Sequence, residues 1–455
     1  MFAGLPLNTI LLYNVILLMF YIWFVARYRK SSVSLLIITL FFAGLFSDAR
    51  FFLNSNIVFN IYKIIIFIWT LKLFTKHINK KYLYKYRYLI TAFVLFSIYF
   101  FVFTIFIHHD RLMLIFSQWS KYSIPVMFII ILRNEMKNIK KVNVFNKLFG
   151  TLIIAQIVLS VFKLIIIQDY YEGLVGSITG LAGGGPGTTL PLLGLVWLML
   201  NNKMNFKWKN ILFFAGLLFI GLVTGKRAVL FLYPILFGML YMLSAKNRSV
   251  LKSLQIYFSL ILIMPILIYV GFRLNPTLNP DQKIWGQFDF DYAWNYALKY
   301  STGSTSENDS GIQKGIGRVG AVNLIWDEIV NSGKNKTVFL LGNGLEYFTE
   351  DSFENYTNSS YFFGIDHRGS ITGLIQFVLT IGLFGAVLFL IYLILMIRSL
   401  VTYKRLRYII LFLVLIDYIF YNSTIVQIPS LTVLLIFVML LSQVKYKKTA
   451  VSINV

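Results

Sequence analysis

The chain has 455 residues, of which 58% are hydrophobic and 13% charged, and it carries 42 Lys and Arg against 18 Asp and Glu, a formal charge of +24, with no cysteine. Apolar runs near 20 residues recur along it, about the length a helix needs to cross a bilayer, so the composition is that of an integral membrane protein. Disulfides and thiolate metal sites are excluded. The charge is not a nucleic-acid footprint, because residues 273–368 hold 8 basic and 12 acidic side chains, a net of −4, which leaves +28 for the rest of the chain. That excess sits in short segments between apolar runs, as the positive-inside rule produces.

Taken in chain order, Met1-Phe2-Ala3-Gly4 lacks a basic n-region and a clear cleavage site, and reads as the start of a retained first helix. Seven basic segments follow, at 27–30, 76–87, 133–147, 203–209, 246–252, 398–407 and 445–448. Placed together in the cytoplasm, they predict thirteen spans near 5–26, 33–50, 56–75, 88–107, 112–132, 148–168, 188–202, 210–224, 227–244, 254–272, 369–397, 408–422 and 427–444. The N-terminus is then outside and the C-terminus in the cytoplasm. The expected fold is an all-α polytopic membrane protein in three parts: ten spans with short loops over 1–272, one large extracytoplasmic and mostly helical loop over 273–368, and three spans over 369–455.

The outer loops are short at 51–55, 108–111 and 224–227, and longer and glycine-rich at 169–187. In the large loop, Val319, Val322, Ile325, Trp326 and Ile329 have the spacing of a helix with one apolar face, residues 292–300 read similarly, and 301–311 is a polar break. No period of 20–50 residues marks a repeat.

Several side chains carry chemistry, each with a plainer alternative. Lys226 and Arg227 follow Gly225 in a turn too short to carry them far from the bilayer, with no acidic residue nearby in sequence. An anion site fits them, and so does snorkelling at the interface. Arg318, in Gly315-Ile316-Gly317-Arg318, precedes the amphipathic helix, where anions are favoured, or is a surface arginine. His367 lies between Asp366 and Arg368 at the base of the large loop, and a histidine of ordinary pKa, about 6.5, can act as a base at neutral pH. His77 reads as a solvated residue. His108 and His109 with Asp110 lack a further ligand cluster, and Asp289-Phe290-Asp291 has a weak metal-holding spacing. Asp48 and Arg50 can pair. The run from Gly183 to Gly187 reads as a flexible or re-entrant segment that reaches membrane depth only if protein covers it. Lys63, Lys121, Lys163 and Asp417 fall inside spans, where charges face a cavity or a partner; they can line a substrate groove or mark a transporter.

The order of motifs carries a resemblance. Thr224-Gly225-Lys226-Arg227-Ala228 comes first, then Gly317-Arg318 before a helix with Trp326, then Leu341-Gly342-Asn343-Gly344. Last is Asp366-His367-Arg368-Gly369-Ser370, which leads into Leu374-Ile375-Gln376-Phe377 and Ile381-Gly382-Leu383-Phe384-Gly385. Over roughly 170–400 this resembles the superfamily of O-antigen ligases and Wzy-type O-antigen polymerases. The resemblance implies a membrane-embedded, GT-C-like inverting glycosyltransferase that needs no metal or other cofactor. Its donor and acceptor would be glycans on undecaprenyl pyrophosphate at the outer face of a bacterial inner membrane, with membrane lipids and a chain-length regulator protein as further partners and no nucleic acid. His367 would be the catalytic base, Arg318 and Arg227 would stabilise the leaving pyrophosphate, and Lys226, Arg368 and Arg273 would bind substrate. The chain departs from the family in having Arg368 where Asn is frequent, and in lacking an arginine and a Pro-Asn pair in the glycine-rich loop. The alternatives are a ligase that moves finished polymer to lipid A-core and, in a different class, a polysaccharide flippase; the missing repeats and the hundred-residue loop weigh against the flippase.

Overall fold

The structure, a computed structural model, describes residues 7–53, 55, 57–167, 173–180, 185–201, 207–224, 226–244, 258, 264–275, 278–302, 322, 326, 336–348, 372–421 and 424–451. Every regular element among the described residues is helical. The first half holds α1 (Leu7–Tyr28), α2 (Ser32–Phe41), α3 (Ala43–Leu53), α4 (Ile57–His77), α5 (Lys80–Lys85), α6 (Arg87–Phe101, continued by a π-helical turn Val102–Ile107), α7 (Leu112–Glu135) and α8 (Ile139–Ile167). Then come α9 (Pro186–Leu200), α10 (Trp208–Val223), α11 (Arg227–Ser244), α12 (Met264–Leu274), α13 (Phe290–Thr302) and α14 (Lys336–Leu341). The chain closes with α15 (Gly373–Leu400), α16 (Lys404–Phe420), α17 (Thr424–Gln427) and α18 (Pro429–Val451).

Six of these are long and apolar enough to cross a membrane: α1, α4, α6 with its extension, α7, α8 and α15. Helices α2 and α3, bent by 52° at their break, make a seventh if they form one span, and α9, α10, α12 and parts of α11 and α18 are shorter apolar helices. The predicted span 33–50 is therefore two helices, and the one predicted from 369 begins at Gly373, where the Thr372 side chain accepts a bond from the Ile375 amide. Leu11, Val15, Leu18, Met19 and Ile22 on α1, Ile57, Ile61, Ile65 and Ile68 on α4, and Val94, Leu95 and Ile98 on α6 are all exposed. Apolar stripes of that extent are stable against lipid, not water. The centre is α18, buried without interruption from Leu431 to Leu441 and packed against α2, α7, α9 and α15.

Two junctions orient the bundle. At one end, Tyr28 meets Thr151, His77 meets Glu135 at 2.9 Å, Arg133 donates to Gln443, Asn146 donates to Asn201, and Gln443 donates to the Leu400 carbonyl. The helix ends that carry the predicted basic segments near 27, 76, 133, 398 and 445 are thus gathered on one side. At the other end, residues 173–180 fold back into the bundle. Ser177 bonds Gln156 and donates to the Phe41 carbonyl, the Gly44 amide donates to Ser177, Tyr13 donates to the Gly176 carbonyl, and Ser160 accepts from the Gly176 amide. Gln156 lies about 16 Å before the end of α8 at 1.5 Å per residue, so this non-helical stretch is re-entrant and its backbone groups are satisfied by side chains. Lys163 completes the arrangement. It is fully buried and donates to the carbonyl oxygens of Gly173, Val175 and Gly180, so it staples this segment and lines no groove.

Candidate functional site

The end of the bundle opposite the basic segments collects polar side chains from α9, α10, α15, α16 and α17. Pro186 opens α9, and its first turn carries Thr188 and Thr189. Gly187 allows α10 to come close: a Cβ there would lie 2.2 Å from Thr224 Oγ1 and 3.2 Å from Lys226 Cγ. Thr224 ends α10 and bonds back to the Ile220 carbonyl at 2.8 Å, the Lys226 amide closes the turn on the Gly221 carbonyl at 3.1 Å, and Arg227 opens α11. Lys226 is therefore set against the start of α9, with Arg227 following it as the first residue of α11.

Asp417, buried near the end of α16, accepts from Thr424 Oγ1 at 2.8 Å and from the Ile425 amide at 2.7 Å, and Thr424 reaches Thr189 at 3.4 Å. Asp417 is thus a brace for the chain reversal between α16 and α18. Beside it is a narrow slot lined by Thr188, Thr189, Leu192, Leu193, Asp417 and Tyr421. The Gly373 amide donates to the Tyr421 carbonyl, and Gln427 donates to Gln376 at 3.0 Å. These contacts join the start of α15 to the same polar cluster.

The large loop is anchored where α15 breaks. Gly382 has φ 73° and ψ 172°, and the amides of Asn343 and Gly344 donate to the Leu379 and Thr380 carbonyls, at 2.8 and 2.9 Å, that the break leaves open. Asp110 then accepts from the amides of Leu345 and Glu346, and Arg111 pairs with Glu346 at 3.0 Å. Asp110 is thus a backbone acceptor for the loop. At the loop's start, Arg273 donates to the Gly286 carbonyl at 2.9 Å and to Tyr269, and its guanidinium lies 4.6 Å from the Trp285 ring centre. Phe272, Leu278, Ala293 and Tyr296 bury a small core with Leu222 and Leu230. Asp289 caps α13 by accepting from the Tyr292 amide at 2.9 Å, which gives the Asp-x-Asp triplet a structural task.

Of the predicted site residues, Lys226 and Arg273 are described with their side chains and Arg227 by its place at the start of α11, while Arg318, His367 and Arg368 lie outside the described residues. Lys226 lies against the start of α9 with Arg227 next to it in the chain, and Arg273 stands at the loop's start, next to the small core that takes in Leu222 and Leu230 from the helices on either side of that turn. Sequence reasoning missed Thr188, Thr189, Thr224, Thr424 and the Gln376–Gln427 pair. The available signal was a hydroxyl or amide inside an otherwise apolar run. No protein-family model, curated protein or solved structure matches the chain.

Proposed function

We propose that the protein is a membrane glycosyltransferase that joins oligosaccharide repeat units carried on undecaprenyl pyrophosphate, as O-antigen or capsular polymerases do. Six long apolar helices, with the bent pair a seventh if it forms one span, support a multi-pass membrane protein, and in this reading they belong to thirteen spans of a GT-C-like architecture with the basic end in the cytoplasm of a bacterial inner membrane. The observation that carries the reading is the meeting of sequence-distant motifs at the opposite end. Leu341-Gly342-Asn343-Gly344 docks on the break at Gly382, and the start of α15, a few residues past His367, is tied through Tyr421, Thr424 and Thr189 to the helix that Lys226 abuts.

In this reading the acceptor hydroxyl attacks the anomeric carbon, the bond from that carbon to the pyrophosphate oxygen breaks, and the lipid pyrophosphate leaves with the electron pair. His367 takes the hydroxyl proton. Arg227 and Arg318, with Arg368, stabilise the charge that grows on the leaving group, which is the largest task in such a transfer. A guanidinium binds phosphate through a planar fork and an ammonium cannot, so Arg227→Lys and Arg318→Lys should rescue little.

The test is transfer between purified lipid-linked repeat units. Arg227→Ala and Arg318→Ala should abolish chain extension with the protein still in the membrane, and His367→Ala should slow single-turnover transfer by about 10²–10⁴-fold, the usual worth of a general base. Wild-type activity should persist in excess EDTA. Normal polymer ladders from the alanine variants would defeat the proposal. A deletion strain with single repeat units on the core indicates a polymerase, and unattached polymer on the lipid carrier indicates a ligase.

A further inference from the structure

Two lysines inside the bundle have no part in that chemistry. Lys63 is on α4 and Lys121 on α7, helices that pack directly against each other. Ile57, Ile61, Ile65 and Ile68 mark the exposed face of α4, and at 100° per residue Lys63 is turned to the opposite side. On α7, residues 122–132 are buried throughout, while Ser117, Gln118 and Lys121 are only partly covered. Lys63 thus faces the partly covered first half of α7, where Ser117, Gln118 and Lys121 lie above the fully buried stretch.

Both ammonium groups meet polar side chains of α7. Lys63 Nζ donates to Ser117 Oγ at 3.4 Å, and Lys121 Nζ reaches back one turn to Gln118 Oε1 at 3.0 Å. They are near enough to repel each other. No carboxylate among the described residues lies within ion-pair distance of either. Phe59 covers Lys63 at 4.5 Å from the ring centre, and the Phe67 and Trp119 rings of the same two helices meet at 5.7 Å, tilted by 56°. Side chains on a helix lean toward its N-terminus, so both lysines aim at the end of the bundle away from the basic segments. Two uncompensated cations in an apolar wall, with a hydroxyl and an amide between them, are costly when empty and complementary to a bound anion.

We propose that Lys63, Ser117, Gln118 and Lys121 form a binding site for a phosphate group, presented by a lipid whose chain lies along the apolar walls of α4 and α7 or by free phosphate. Each ammonium supplies charge-assisted donors, Gln118 and Ser117 supply neutral ones, and the aromatic rings exclude water. The site is separate from Lys226 and Arg227 and does not rest on the transferase reading, since it concerns the resting protein.

The experiment is calorimetric titration of the purified protein in neutral detergent with dodecyl phosphate, inorganic phosphate and dodecanol. Dodecyl phosphate should bind saturably and dodecanol should not. In Lys63→Gln/Lys121→Gln the affinity should fall by about tenfold per ammonium removed, equivalent to about 1.4 kcal/mol for each tenfold step, whereas Lys63→Arg/Lys121→Arg should retain it. Competition by inorganic phosphate would assign the site to phosphate itself, and its absence would assign it to a phosphate-bearing lipid. A control variant, Lys141→Gln at the basic end, should bind as wild type. Equal dodecyl phosphate affinity in wild type and the folded double glutamine variant, or equal binding of dodecanol, would overturn the proposal.

Discussion

At Gly382 the backbone adopts φ 73° and ψ 172°, a region open in practice to glycine alone, and a Cβ there would lie 2.2 Å from the Leu340 carbonyl oxygen. Gly382→Ala should therefore lose about 1–3 kcal/mol in backbone strain alone and more through the clash. The measurement is thermal unfolding in detergent, where a melting temperature equal to that of the wild type would show that α15 straightens at no cost. This glycine was visible in the sequence only as part of a motif, because nothing local says that its carbonyl neighbours will be capped by Asn343 and Gly344. Asp289 is the reverse case. Its place just before the helical stretch at 292 is a cap position, and the same side chain also suits a metal, so the local sequence could not choose between the two. Lys163 was legible as a buried charge but not as a staple, since its three carbonyl partners come from a segment with no regular pattern.

Among the elements, the long apolar helices were legible because length and hydropathy are properties of the segment itself. The break between α2 and α3 was not. Residues 33–50 are apolar enough to read as one span, and the bend is fixed by distant partners, with Ser177 donating to the Phe41 carbonyl and accepting from the Gly44 amide. The re-entrant reading falls on residues 183–187, of which 183 and 184 lie outside the described residues and 185–187 begin α9; the segment that folds back is residues 173–180, held by Gln156, Ser160 and Tyr13. Gln156 accepts from the Ser177 amide at 2.7 Å and donates to its hydroxyl at 2.8 Å. Gln156→Leu keeps the volume and strands the Ser177 amide in a dry interior, at about 1–3 kcal/mol, while the hydroxyl keeps its bond to the Phe41 carbonyl. Unfolding midpoints should show a loss within that range, and Gln156→Glu should lose less because the acceptor survives. A leucine variant as stable as wild type would mean that water reaches this segment.

For the molecule as a whole, the charge pattern told the sequence which helix ends belong together, and the contacts of Tyr28, His77, Arg133, Asn146 and Gln443 bring those ends to one side. Which side faces the cytoplasm is a prediction of the positive-inside rule. The natural chain has no cysteine, so single substitutions report cleanly. Ser55→Cys and Gln282→Cys should react with a membrane-impermeant maleimide on intact cells, and Lys30→Cys, Asn138→Cys and Lys404→Cys only after permeabilisation. The opposite pattern would invert the topology and move the polar cluster to the cytoplasmic side. The candidate site was legible in part, because charged residues announce themselves while the threonines that join α9, α10 and α17 do not. The burial of α18 from Leu431 to Leu441 has a temporal consequence as well. A ribosome delivers a chain from its N-terminus, so the helix that fills the middle of this bundle emerges after the ones that enclose it. Until then α2, α7 and α9 have only lipid or one another to cover the faces that α18 will take. Insertion must therefore leave a vacant berth, and the nascent bundle spends part of its synthesis open at the centre, where membrane chaperones can reach it.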